Sequence, residues 1–199
     1  MKGMIIIKIR WLGNSALEID GEKKIIIDPS FTVEPENEAD IILITNEHDD
    51  HINPEQLAEI SDSETKVYAP QSVYDNFDIE GEVVEAGQEI EDDIKVIDID
   101  CYNSDESVAY FYNGLYHTAD ASVFPDPGEE IKILFSACFN DHFAKYIESC
   151  IKLDPELAIP YHYDPEERQE LLQAKGLSSK FEQISCNSQV LELGEEIEV

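Results

Sequence analysis

Ile41-Ile42-Leu43-Ile44-Thr45-Asn46-Glu47-His48-Asp49-Asp50-His51 is the stretch on which the reading of the chain turns. Four aliphatic residues in succession, closed by a polar Thr-Asn pair, spell a short strand covered on both faces that stops at the edge of a sheet. What it delivers there are metal-ligand types: His48, Asp50 and His51 lie within four positions. Asn53-Pro54-Glu55-Gln56 then opens a helix, with a side-chain cap at Asn53 and proline at the first helical position, where its missing N–H is no loss. A strand end, a ligand-rich loop and a helix start make a rigid place to hold a cation.

The charge balance narrows the partners. The 199 residues include 45 Asp and Glu against 13 Lys and Arg, a formal net charge of -32. Such a field repels nucleic acid and anionic membrane surfaces and attracts metal cations. It also weighs against strongly anionic substrates unless a metal offsets it. No apolar run approaches the roughly 20 residues of a membrane span, so a small-molecule substrate or ligand is the expected partner, with no nucleic acid and no membrane. Met1-Lys2-Gly3-Met4-Ile5-Ile6-Ile7-Lys8 carries charge inside its apolar run and reads as a first strand rather than a signal peptide. Cys101, Cys138, Cys150 and Cys186 are widely spaced and show no Cys-x-x-Cys pair, which fits reduced thiols in a cytoplasm. The length suits one domain over 1–199.

Working outward, the first third reads as a strand meander: Met4 to Arg10, Ser15 to Asp20 and Lys24 to Asp28, the last two joined by Asp20-Gly21-Glu22, a hairpin signal. A helix at about Pro54 to Ser61, a strand Lys66 to Ala69, a short helix after Pro70, and alternating runs at Glu82 to Ala86 and Ile90 to Asp100 follow. Val108 to Tyr112 and Leu115 to Thr118 flank Asn113-Gly114, a two-residue hairpin turn. Ile131 to Phe135 is a buried strand, and Asn140 to Leu153 has helical apolar spacing with Asn140 as its cap. Leu157 to Pro160 is a strand, Pro165 to Lys175 a helix stopped by Gly176, and Phe181 to Ile184 and Gln189 to Leu193 are the final strands.

Two further places end a strand in a ligand type: Tyr116-His117-Thr118-Ala119-Asp120 and Ala158-Ile159-Pro160-Tyr161-His162. Together with Trp11-Leu12-Gly13-Asn14-Ser15-Ala16, Ile27-Asp28-Pro29 and Thr45-x-x-His48-x-Asp50-His51, in this order and spacing, they resemble the metallo-β-lactamase superfamily. The branch they are most similar to is that of small metal-dependent hydrolases related to ascorbate-6-phosphate lactonase. The likeness extends over nearly the whole chain. Its most specific part is the combination of the His51 motif with Asp120 and His162.

The resemblance implies an α+β fold, a four-layer αββα sandwich with the metal site at one edge, and two metal positions. The second position would be complete in Asp50, His51 and His162, with Asp120 bridging. The first would not: Asn46 stands where the family has its leading His, His48 is kept, and no His occurs near Cys101-Tyr102-Asn103, where a later ligand falls. An Asn amide oxygen is a weaker, harder ligand than an imidazole, so that position should be empty or altered. Ala119 replaces a glycine of the family pattern at a place that needs positive φ, which side chains resist.

These residues imply a metal-dependent hydrolase of an ester, lactone or phosphoester, with one divalent ion per chain rather than two, zinc before manganese or another metal. Asp50 would be ligand and proton acceptor; Asp50, His51, Asp120, His162 and His48 are the metal residues. Asn46, Asn103, His117, Asp28 and His142 are expected around them, His117 as a hydrogen-bonding support and His142 either lining the pocket or on the surface. The other reading is a degenerate, non-catalytic member that keeps the fold and binds a small ligand or partner.

Overall fold

A computed structural model describes residues 7–198, so the Met4–Ile6 part of the expected first strand lies outside the described residues. In chain order the elements are β1 (Lys8–Gly13), β2 (Ala16–Asp20), β3 (Lys24–Ile27), β4 (Ile41–Leu43), α1 (Pro54–Glu59), β5 (Lys66–Ala69), α2 (Gln71–Asn76), β6 (Glu82–Val83), β7 (Glu89–Ile90), β8 (Ile94–Asp98), β9 (Val108–Tyr112), β10 (Leu115–His117), β11 (Ile133–Ala137), α3 (Phe143–Leu153), β12 (Leu157–Tyr161), α4 (Arg168–Gln183), β13 (Asn187–Ser188) and β14 (Glu196–Glu198). They form two seven-stranded sheets, ordered β14-β1-β2-β3-β4-β5-β6 and β13-β12-β11-β10-β9-β8-β7.

The four layers follow from strand alternation. In the first sheet Ile9, Trp11, Leu17, Ile19, Ile25, Ile27, Ile41 and Leu43 share one core with the second sheet, α3 and α4. Their neighbours Leu12, Ala16, Ile26, Ile42 and Ile44 form a second core with Leu57 of α1, Ile60 at its end and Val73 of α2. A period-2 strand with apolar residues on both faces is stable only when both faces are covered. The run Ile25-Ile26-Ile27 is that case, and the expected αββα sandwich is what the chain adopts.

The turns behave as their residues dictate. Asn113 and Gly114 both have positive φ, 49° and 90°, the geometry of the tight hairpin between β9 and β10. Asn53 caps α1, its Oδ1 accepting from the backbone N–H of Glu55 and Gln56.

Several boundaries differ from expectation. Helix α4 passes through Gly176 and runs to Gln183, taking in residues read as a strand from Phe181. Buried Ala174, Leu177 and Phe181 fall at helical spacing, and a Cβ at Gly176 would sit 3.6 Å from the Phe143 ring of α3, so the glycine serves a close helix crossing rather than a stop. Gln189 to Leu193 is irregular chain, the last strands being the short β13 and β14. Asn140 does not cap α3 with its side chain; residues Asn140–His142 make a 3-10 turn that leads into it. Ile90 to Asp100 is interrupted by Glu91 and Asp92 at positive φ, giving the β7–β8 hairpin.

Two backbone bonds tie the sheets at one edge. Val108 N–H donates to Thr45 O (2.9 Å) and His162 N–H to Asn14 O (3.0 Å), while the buried Tyr110 hydroxyl donates to Ile44 O at 3.0 Å. The chain segments leaving β1, β3, β4, β10 and β12 meet there.

Candidate metal centre

The segments that meet at this edge turn sharply. Gly13, Asn14, Asp28, Ala119 and His162 all have positive φ, between 43° and 114°. For residues other than glycine this conformation costs about 1–2 kcal/mol, and four such residues beside Gly13 fix where the side chains that follow each strand point. Ala119, at φ 48°, has the conformation expected of the glycine it replaces. At Gly13 a side chain is excluded twice over, by φ 114° and by Thr32 Oγ1, 2.6 Å from where a Cβ would sit.

Asp28 is the buried anchor. It is fully enclosed, and its carboxylate accepts from Thr45 N–H (2.8 Å), the Thr45 hydroxyl (2.9 Å) and His51 Nδ1 (2.8 Å). Burial favours its neutral form, but the His51 ring, by charge and hydrogen bond, holds the carboxyl below its ordinary range. For His51 burial likewise opposes charge, yet Asp28, Asp120 and Asp50 together push it up to about 9. With Nδ1 committed to Asp28, the other nitrogen, Nε2, is the one presented to the site. Support of an imidazole by a carboxylate in this way is the arrangement found behind metal-ligating histidines.

Around that nitrogen the other ligand types gather. His51 Nε2 lies 3.1 Å from His162 Nε2, 3.8 Å from Asp120 Oδ1 and 4.0 Å from Asp50 Oδ1, and His162 Nε2 is 3.6 Å from Asp50 Oδ2. Two imidazole nitrogens face each other, and burial together with the neighbouring His51 keeps His162 below the usual imidazole range. Ligands about 2.0–2.1 Å from a tetrahedral zinc are about 3.3 Å apart, close to the nitrogen spacing seen, and a mixed imidazole–carboxylate set suits zinc and its first-row neighbours. The donors fit a divalent ion.

The neighbouring position is different. His48 Nδ1 lies 3.9 Å from Asp120 Oδ2, and His48, His51 and Asp120 bring one ligand atom each to within 4.8 Å of one another. The buried Asn46 is used up in the fold: its Oδ1 accepts from His48 N–H (3.0 Å), which fixes its Nδ2 as a donor to Asp120 Oδ1 (3.2 Å). An amide N–H therefore meets the Asp120 oxygen nearer His51, while the other oxygen faces His48. Cys101 is buried, and its thiol is pushed up by burial and by Asp120, so it stays protonated.

The supporting residues take distinct places. His117 is buried, its Nε2 donating to Ser15 O (2.8 Å) and its Nδ1 accepting from Ala119 N–H (3.3 Å), and burial pushes it down so that it stays neutral. Both nitrogens are spent, and the ring braces Ala119 and Asp120. Asn103 and His142 lie farther out, lining with Asp120 and Cys101 a cleft of about 490 Å³. A second cleft of about 340 Å³ reaches Asp50 and His162, and Phe139 borders both, its ring edge-on to His162 at 5.3 Å. The expectations from sequence do not include Thr45 as the partner of Asp28, Ser15, whose Oγ is 3.3 Å from His51 Nδ1, or Lys145. His142 and Lys145 are three apart on one helical face, the one signal that could have singled out the lysine.

A family model described as a beta-lactamase superfamily domain matches residues 8–123. The chain belongs to the β-lactamase superfamily. Among similar curated proteins are a metal-dependent hydrolase of Thermococcus onnurineus, 29% identical with 84% of this chain and 92% of the relative covered, and one of Pyrococcus abyssi, 25% identical over 98% of this chain and 100% of the relative. A solved structure of a metallo hydrolase from the hyperthermophilic archaeon Ignicoccus hospitalis has the same superfamily fold, with a TM-score of 0.76 at 18% identity over 98% of both chains. No described helix is long and apolar enough to cross a membrane.

Proposed function

We propose that this superfamily member is a metal-dependent hydrolase of a small ester, lactone or phosphoester, working in the cytoplasm with one zinc ion held by Asp50, His51, Asp120 and His162. The observation that carries the reading is the pair of imidazole nitrogens 3.1 Å apart, flanked by two carboxylates, with His51 steered from behind by Asp28. The names of the relatives from Thermococcus and Pyrococcus support the same class. A bound divalent ion supplies Lewis acidity, polarising a carbonyl or phosphoryl oxygen and bringing the pKa of water to about 7.

The protein's own residues then divide the work. Asp28 keeps His51 oriented and its Nε2 available once the proton is displaced. Asp120, braced by Asn46, holds its carboxylate between the two positions. Asp50 has a half-exposed side chain and borders the cleft at His162, so it can accept a proton from the attacking water and pass it to solvent. One ion rather than two is supported by Asn46, which puts a donor N–H rather than a ligand lone pair toward Asp120.

The test is hydrolysis of 4-nitrophenyl acetate, a homoserine-type lactone and bis(4-nitrophenyl) phosphate by chelated and zinc- or manganese-reloaded protein. Turnover of at least one that is lost on chelation, restored by metal and abolished in His162→Ala supports the reading. Rates unchanged by chelation would overturn the metal dependence, and no turnover with the metal bound would favour a binding protein instead.

A further inference from the structure

The mechanism leaves out the larger of the two clefts, beside Asp120. One cation, Lys145, lines it. Lys8, Arg10, Lys23, Lys24, Lys66 and Lys95 all pair with carboxylates. Lys145, like Lys132, Lys152, Arg168, Lys175 and Lys180, is in none of the described ion pairs; its ammonium donates to the Ser122 hydroxyl at 3.1 Å. Lys145 is exposed and shares the lining with Asp100 and Asp120, so its ammonium is open to a ligand that enters the cleft. His142 lines the same cleft.

The rim of the cleft is apolar, which is the second, independent sign. Tyr102 is 81% exposed and Phe139 37%, two of the few large hydrophobic side chains the surface shows, and both line this cleft. Val123, 58% exposed, follows Ser122. Exposed apolar groups gathered about a concave site mark a binding surface.

We propose that this cleft is the substrate subsite, taking a molecule with an apolar or aromatic body against Tyr102 and Phe139 and an anionic group, carboxylate or phosphate, on Lys145 and Ser122. The scissile bond then lies toward Asp120. The assignment deepens the hydrolase reading and rests on it for the word substrate, whereas binding itself does not need the metal. It also narrows the expectation that the acidic surface excludes anionic substrates: the overall field disfavours them, and one lysine admits a single anionic group.

The experiment is a 19F NMR titration of the full chain, zinc-loaded and chelated, with 4-fluorobenzoate, 4-fluorophenyl phosphate and neutral 4-fluorobenzamide. At least one anion should bind both forms, more tightly than the amide, and about tenfold more weakly to Lys145→Met, as expected for loss of one charged hydrogen bond. Lys145→Arg should restore most of it. The two anions distinguish a carboxylate from a phosphate as the preferred group. Anion binding that disappears on chelation but is unchanged in Lys145→Met belongs to the metal; it would overturn the subsite and leave the hydrolase reading standing. Anions that bind no better than the amide would overturn it as well. Binding that persists in the chelated protein and falls in Lys145→Met upholds the subsite even if the hydrolysis assay fails.

Discussion

Replacing Asp28 by Asn removes the charge at the buried anchor while keeping its shape, and Asn tolerates the left-handed backbone at φ 51° as well as Asp does, so the change reports on the side chain alone. The carboxylate accepts three hydrogen bonds between 2.8 and 2.9 Å. An amide has one acceptor oxygen, and its NH2 must face either the Thr45 donors or His51. Removing one partner of a buried ion pair costs about 3–5 kcal/mol, since the remaining group is left uncompensated. With a urea dependence of about 2 kcal/mol per molar, the unfolding midpoint of the metal-free protein should fall by roughly 2 M. Loss of such a support behind a ligating imidazole also weakens metal about 10–100-fold, readable by competition with a chromophoric chelator. A midpoint within about 0.3 M of wild type, with zinc affinity unchanged, would refute the role given to Asp28.

The raised His51 pKa sets a pH dependence. Its charge-linked stability is complete below its ordinary value of 6.5 and is lost as pH rises through about 9, whereas that of Asp28 is present above 3.8 and lost as pH falls, so the metal-free protein should weaken by about 3 kcal/mol between pH 6.5 and 9. Urea midpoints that stay level across that window would contradict it. Because zinc must displace that proton, binding at pH 7 should release about one proton per ion, seen as a dependence of calorimetric heat on the buffer's ionisation enthalpy. Asn46→His removes the N–H on Asp120 and restores an imidazole, and metal content should rise toward two per chain; no rise would mean that the first position lacks more than this residue. Leu177→Ala, in the core under α4, should cost about 2–5 kcal/mol and leave metal content unchanged, and a loss of metal there would mean that the centre depends on global packing.

The sheets were legible because their strands carry apolar residues on alternate faces and the hairpins carry Asn-Gly and Asp-Gly. The C-terminal third was less so. A glycine inside a helix reads as a stop unless one knows that Phe143 packs against it, and Phe181-x-x-Ile184 fits a helix face as well as a strand. At the candidate site, His51, Asp50, Asp120 and His162 could be singled out because ligand types recur after strand ends in an order that resembles the metallo-β-lactamase pattern. The part played by Thr45 and Ser15 depends on which strands become neighbours, and nothing local encodes that. Asn46 read as a lost ligand; that it also braces Asp120 emerges only when residues 74 positions apart are brought together.

Elemental analysis of the purified protein after zinc loading and gel filtration, alongside Asp120→Ala and His162→Ala, tests the centre most directly. The expected result is close to one ion per chain in wild type and a large loss in both variants, with each variant retaining wild-type circular dichroism. A wild-type protein that holds no metal, and whose melting temperature does not move when zinc or manganese is added, would contradict the assignment.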